Sequence, residues 1–185
     1  MRRLLPPALA LLVLGCASPK YLFVDSGSLQ KEISAADGRM PIQRYVLSPD
    51  NFPADSLWFL DSAPAKSFLA VLKKNNRKKT KSYIESPAFQ SCADPAARRF
   101  CKSLYYFFSS AFDSCTMLLD ASDLETKSCF LRFIRTDCEY ETTVHTGTVT
   151  YDEFAEKYQK ILDCNDNALS RQIVKIRLKL IRYGY

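Results

Sequence analysis

Between residues 97 and 119 the apolar positions Phe100, Leu104, Tyr105, Phe108, Phe112, Cys115, Leu118 and Leu119 recur every three or four residues. That spacing predicts one amphipathic helix with a wide apolar face. Asp120-Ala121-Ser122 ends it, and Ser122 followed by Glu125 has the spacing of a capping box. A second helix carrying Leu124, Leu131 and Ile134 is therefore expected to fold back on the first as a hairpin. Two other helices announce their starts. Ser62 precedes Pro64, a residue tolerated in a first turn, with Phe68, Leu69, Val71 and Leu72 as the apolar side. Thr150 with Glu153 is another capping box, opening a helix with Phe154, Tyr158, Ile161 and Leu162 on one face.

Other stretches read as strand. Tyr21-Leu22-Phe23-Val24 and Arg44-Tyr45-Val46-Leu47 are short apolar runs followed by turn formers. Val174-Lys175-Ile176-Arg177-Leu178-Lys179-Leu180 alternates as a half-buried strand does. A helix template through Leu169, Ile173, Ile176 and Leu180 also fits, but it leaves Val174, Leu178 and Ile181 on a poor polar face. With residues 142–151 as companion strand, the expected fold class is α+β: a helical hairpin and further helices packed on a small antiparallel sheet, braced by disulfides. The alternative is an all-α disulfide bundle. Residues 130–144 also allow a strand, which would shift the register of the hairpin.

The N-terminus changes the picture. Met1-Arg2-Arg3 is a short cationic start, and residues 4–14 are almost wholly apolar but carry Pro6-Pro7. Such a run is shorter than the roughly 20 residues that span hydrocarbon and has the form of a signal segment. Leu12-Val13-Leu14-Gly15-Cys16 resembles the lipobox of bacterial lipoproteins: an aliphatic residue, a variable one, a small one, then cysteine. The resemblance covers only residues 1 to 18. It implies cleavage before Cys16, a diacylglycerol on the Cys16 thiol and further acylation of its amino group. Each buried methylene contributes about 0.8 kcal/mol, so two or three chains anchor durably where one does not. The expected organisation is a signal peptide over 1–15, a lipidated tether over 16–26 and one globular domain over 27–185. Membrane lipid is then a partner through acylated Cys16. The expected location is the cell envelope, with the outer membrane favoured because Ala17 and Ser18 follow the cysteine where inner-membrane retention in enteric bacteria uses Asp.

Cysteine usage agrees with export. The chain has seven cysteines, an odd number for an oxidising compartment, and setting Cys16 aside leaves Cys92, Cys101, Cys115, Cys129, Cys138 and Cys164 to pair. Covalent bracing then belongs to residues 92–164. A hairpin turned near residue 122 would oppose Cys115 to Cys129 and bring Cys101 within reach of Cys138, leaving Cys92 with Cys164 as a nested set. If residues 130–144 are strand, a local Cys92 to Cys101 bridge competes. Paired-ligand spacing of zinc modules is missing, since there is no CxxC and His145 is the only histidine.

Charge adds one feature. The formal net charge of +6 falls to +4 once Arg2 and Arg3 are removed, a mildly basic domain. Lys73-Lys74-Asn75-Asn76-Arg77-Lys78-Lys79-Thr80-Lys81 places six cations in nine residues, and Arg171, Lys175, Arg177, Lys179 and Arg182 line the last segment. Lys73, Lys74, Arg77, Lys78, Lys79 and Lys81 are thus candidates for anion binding, set against the plainer reading of a solvated loop after a helix. Outside the cytoplasm the available anions are lipid head groups, wall polymers and acidic glycans rather than nucleic acid.

Chemistry is mostly excluded by pattern. There is no HExxH, no GxSxG and no phosphate-binding glycine loop. Glu139 with Glu141, and Asp152 with Glu153, are carboxylate pairs too ordinary to name a glycosidase. The aromatic run Tyr105-Tyr106-Phe107-Phe108, with Phe112 and Trp58, reads chiefly as core. No cofactor and no metal site is expected. The sequence therefore points to a lipid-anchored envelope protein with a binding or structural role and no catalytic constellation, with an envelope protein or an anionic polymer as partner. A small envelope enzyme, or an adhesin-like binder of acidic glycans through residues 73–81, is the alternative.

Overall fold

The structure is a computed structural model that describes residues 21–24, 44–47, 61–74, 76–120, 128–148, 150–164 and 168–182. Its described elements are β1 (Tyr21–Val24), β2 (Arg44–Leu47), α1 (Ala63–Leu72), α2 (Arg77–Ile84), α3 (Pro87–Gln90), α4 (Pro95–Phe108), α5 (Phe112–Asp120), α6 (Cys129–Thr146), α7 (Tyr151–Cys164) and α8 (Ala168–Arg182). The lipobox, Trp58 and the Ser122 capping box lie outside the described residues.

The helices follow one another through space much as they do along the chain: α1 to α4 form one group, α5 packs between α4 and α6, and α7 lies against both α6 and α8. One continuous core runs through all eight, from Ala65 and Phe68 through Phe100, Leu104, Phe107, Leu119 and Ile134 to Tyr158, Ile173 and Ile181. The body is an all-helical bundle, which overturns the expected helices on an antiparallel sheet. The paired strands among the described residues are β1 and β2; they run parallel, with Tyr21 opposite Arg44 and Val24 opposite Leu47, and β2 lies beside α8.

Three corrections explain the difference. The first concerns the alternating segment 171–183, which is helical through Arg182. Ile173, Val174, Arg177, Leu178 and Ile181 are all buried, a stripe at helical spacing once Arg177 counts as a core position. Arg177 belongs in that stripe because Asp137 neutralises it, so it is not part of a basic surface. The proposed companion strand over 142–151 is also helix, up to Thr146.

The second correction concerns the long helix over 97–119, which is two helices. Ser110 N–H donates to Phe107 O at 3.0 Å and Ala111 N–H to Tyr106 O at 2.9 Å, the paired bonds of a Schellman closure. Ser110 occupies the left-handed position at φ 58°, where glycine is usual. The apolar repeat continues through this turn into α5, which hides the break.

The third correction shifts the hairpin. The second helix starts at Cys129, where the Ser128 side chain accepts from Leu131 N–H. α5 and α6 run antiparallel, with Asp120 paired to Arg135 at 2.8 Å and Thr142 Oγ1 donating to Asp113 Oδ1 at 3.1 Å. Cys115 therefore meets Cys138 rather than Cys129. The disulfide is Cys129–Cys164, with a Cα separation of 6.2 Å, and it joins the first residue of α6 to the last of α7. The nested pairing of Cys115 with Cys129, Cys101 with Cys138 and Cys92 with Cys164 is overturned, and Cys92, Cys101, Cys115 and Cys138 are buried thiols.

Two helices start where capping residues predict. Ser62 caps α1 by accepting from Ala65 N–H at 3.3 Å, and α1 buries Ala65, Phe68 and Leu72. α7 opens after Thr150, whose carbonyl accepts from Phe154 N–H, and buries Phe154, Tyr158, Ile161 and Leu162.

Candidate cationic cavity

From Arg77 on, the basic run is helix and not loop. Asn76 caps α2 by accepting from Lys79 N–H at 3.0 Å, so Arg77, Lys78, Lys79 and Lys81 sit at helical spacing. Thr80, in the middle of the run, is buried and donates its hydroxyl to Asn76 O. That fixes which face of α2 is inward and divides the cations.

Arg77 and Lys81, one turn apart, border a cavity of about 410 Å³ between α2 and α4. The other wall comes from α4, where Lys102, Tyr105, Tyr106 and then Ser109 follow the same helical spacing. Glu85 is the one carboxylate among the lining residues; it stands 3.8 Å from Lys81 in an exposed pair, which holds little in water. Three cations against one carboxylate give the cavity a positive potential.

Ser109 also lines the cavity; it is buried, and its hydroxyl has no hydrogen-bond partner among the described residues. The cavity thus combines flexible point charges on Lys81 and Lys102, the planar guanidinium of Arg77 and the aromatic sides of Tyr105 and Tyr106. Such a lining suits a ligand that carries negative charge on a ring or chain.

The other expected anion-binding residues lie elsewhere. Lys73 and Lys74 are exposed in the turn after α1, and Lys78 and Lys79 are exposed on α2 without lining the cavity. Lys102 was absent from the candidates because it falls outside the cationic run. Its signal is the helix-face spacing to Tyr105, Tyr106 and Ser109.

Glu139 and Glu153, one from each carboxylate pair, are engaged structurally. Glu139 accepts from Arg135 at 2.8 Å and from Lys157 at 3.1 Å, and Glu153 pairs with Lys157 at 2.9 Å. Burial works against the Lys157 charge, but its bonds to Glu153 and Glu139 prevail and hold its pKa above the ordinary lysine value. The aromatic run is mainly core: Tyr105, Phe107 and Phe112 are buried, whereas Tyr106 and Phe108 are half-buried. No group of three or more metal-ligating side chains is present among the described residues. No helix among them is long and apolar enough to cross a membrane. Comparison with protein-family models, with characterised proteins and with solved structures finds no match to this chain.

Proposed function

We propose that this chain is a lipid-anchored protein of the bacterial cell envelope that binds an acidic glycan or related anionic polymer through the cavity between α2 and α4. The observation that carries the reading is the convergence of Arg77, Lys81 and Lys102, from two helices, on one cavity with a single carboxylate. A solvated cationic face would scatter its charges, as Lys78 and Lys79 are scattered. An anionic chain offers the charge this lining complements, and its sugar rings suit the tyrosine sides. Acylation at Cys16 would hold the cavity at the membrane surface, where such polymers are displayed.

The test is retention of the detergent-extracted full chain on an immobilised uronic-acid polysaccharide at rising salt. Arg77→Ala/Lys81→Ala/Lys102→Ala should elute at clearly lower salt than the wild type. Lys73→Ala/Lys78→Ala/Lys79→Ala, which removes the same charge away from the cavity, should elute close to it. Equal loss in both variants would show a diffuse charge effect and sink the cavity reading. Anchoring is tested separately by intact mass from the native host, where acyl mass should vanish in Cys16→Ser.

A further inference from the structure

The four cysteines outside the Cys129–Cys164 bond fall into two couples. Cys138, on the inner face of α6, is fully buried against α5, and its thiol is hydrogen-bonded to that of Cys115, which is also fully buried. Two residues separate Cys92 from α4, and its sulfur is held by contacts to Ser62 Oγ at 3.4 Å and to Asp94 O at 3.7 Å. Cys101, nine residues on in the same stretch of chain, is buried in the following helix, and after burial the charge Cys92 can carry is the next cause that raises its thiol.

We infer that the mature protein carries two further disulfides, Cys115–Cys138 and Cys92–Cys101, completing a three-bond set with Cys129–Cys164. Together they would cross-link α5 to α6, fasten the turn before α4 to that helix, and join α6 to α7. Each bond forms by the same exchange with a disulfide-bearing oxidant of the export compartment. One cysteine thiolate attacks a sulfur of the oxidant's disulfide, giving a mixed disulfide and releasing the other sulfur as a thiol. The partner cysteine, losing its proton, then displaces the remaining sulfur. The protein pair loses two hydrogens, and the oxidant is reduced to its dithiol.

Timing follows from burial. In the folded, reduced protein, burial raises the Cys101 and Cys138 thiols far above the ordinary range, so few thiolates exist to start the exchange. The bonds must form before the core closes. Protein that folds reduced should resist later oxidation, and protein that folds in the presence of oxidant should not.

The experiment has two arms. Full chain from the native host is alkylated without reduction, digested and mapped by mass spectrometry. The same chain, reduced and unfolded, is refolded in a glutathione and glutathione-disulfide buffer and mapped in the same way. Peptides linking Cys115 to Cys138 and Cys92 to Cys101 are expected in both arms. Crossed links such as Cys92 to Cys115, or persistent free thiols after oxidative refolding, overturn the pairing. Links that form on refolding while the host protein carries alkylated free thiols overturn the proposal for the mature protein, together with the export reading that supplies the oxidant. Cys115→Ser should leave Cys138 as the one newly alkylable thiol and preserve the Cys92–Cys101 link. If that variant does not fold, the wild-type map decides alone.

Discussion

Arg177 holds Asp137 at both carboxylate oxygens, with Nε donating to Oδ1 at 2.7 Å and Nη2 to Oδ2 at 3.0 Å, and the two residues are only 4% and 0% exposed. The Tyr158 hydroxyl donates to the same Oδ1 at 2.6 Å, and the guanidinium lies 5.9 Å from the Phe133 ring centroid. One carboxylate on α6 therefore fixes α7 and α8 at once. Removing one partner strands a charge in the core, at a cost of about 3–5 kcal/mol, whereas replacing the whole group by apolar residues is often neutral. Asp137→Asn and Arg177→Met should each lower unfolding stability by that order, and Asp137→Leu/Tyr158→Phe/Arg177→Met should recover most of it. Urea unfolding of the four proteins checks this, and a triple variant weaker than both single ones would contradict it.

The same pair explains why the last helix was hard to read. An arginine at a core position breaks the helical stripe of Ile173, Val174, Leu178 and Ile181 and leaves an alternation that imitates strand. Its partner Asp137 lies far off in sequence, so no local pattern reveals the compensation. The helices with local instructions, α1 after Ser62 and α7 after Thr150, were legible at their starts and faces. The α4–α5 break was not, because Ser109-Ser110-Ala111 contains neither glycine nor proline. Of the cavity's three cations, Arg77 and Lys81 were legible as part of a cationic run. Lys102 was not, since only tertiary packing brings α4 opposite α2.

Two Schellman closures provide a matched comparison. Gly147 ends α6 at φ 70°, with Thr148 N–H donating to Thr143 O at 3.0 Å, and Ser110 ends α4 at φ 58° with the same bond pattern. Left-handed backbone costs a residue with a Cβ about 1–2 kcal/mol. Nothing lies within 4 Å of where a Gly147 Cβ would stand, so Gly147→Ala reports backbone strain alone. It should lose about 1 kcal/mol, and Ser110→Gly should be neutral or gain up to about 1 kcal/mol. Thermal unfolding of both variants reads the two signs.

High pH should destabilise the bundle. Burial, then the negative charges that Tyr151, Glu141 and Asp137 can carry, push Tyr140 from its ordinary value of 10.0 up to about 12. Burial raises Tyr158 well above the ordinary value too. Because the folded pKa values lie above the unfolded ones, this contribution is fully present below pH 10 and is lost as pH rises through the folded values. Denaturant midpoints should therefore fall from about pH 10 to 12, and more shallowly in Tyr140→Phe. A wild-type midpoint that stays level across this window would contradict the assignment.

α5 offers a contrast between its faces. Leu119 is fully buried in the common core and Met117 is 66% exposed. Leu119→Ala should cost about 2–5 kcal/mol through lost burial and the cavity left behind, and Met117→Ala about 0.5 kcal/mol or less. Chemical denaturation of the two variants measures the difference directly, and similar losses would place Met117 in a contact that this arrangement lacks.

The Cys129–Cys164 bond has a consequence for how this protein comes apart. Thr146 at the end of α6, then Gly147, Thr148 and Thr150 before α7, are exposed, and the bond spans that stretch from Cys129 before it to Cys164 after it. A protease that nicks the chain there yields a two-chain molecule, not two fragments. It migrates whole until a reductant opens the bond, so damage at this site would leave α7 and α8 tethered to the N-terminal part of the chain, which holds the cavity.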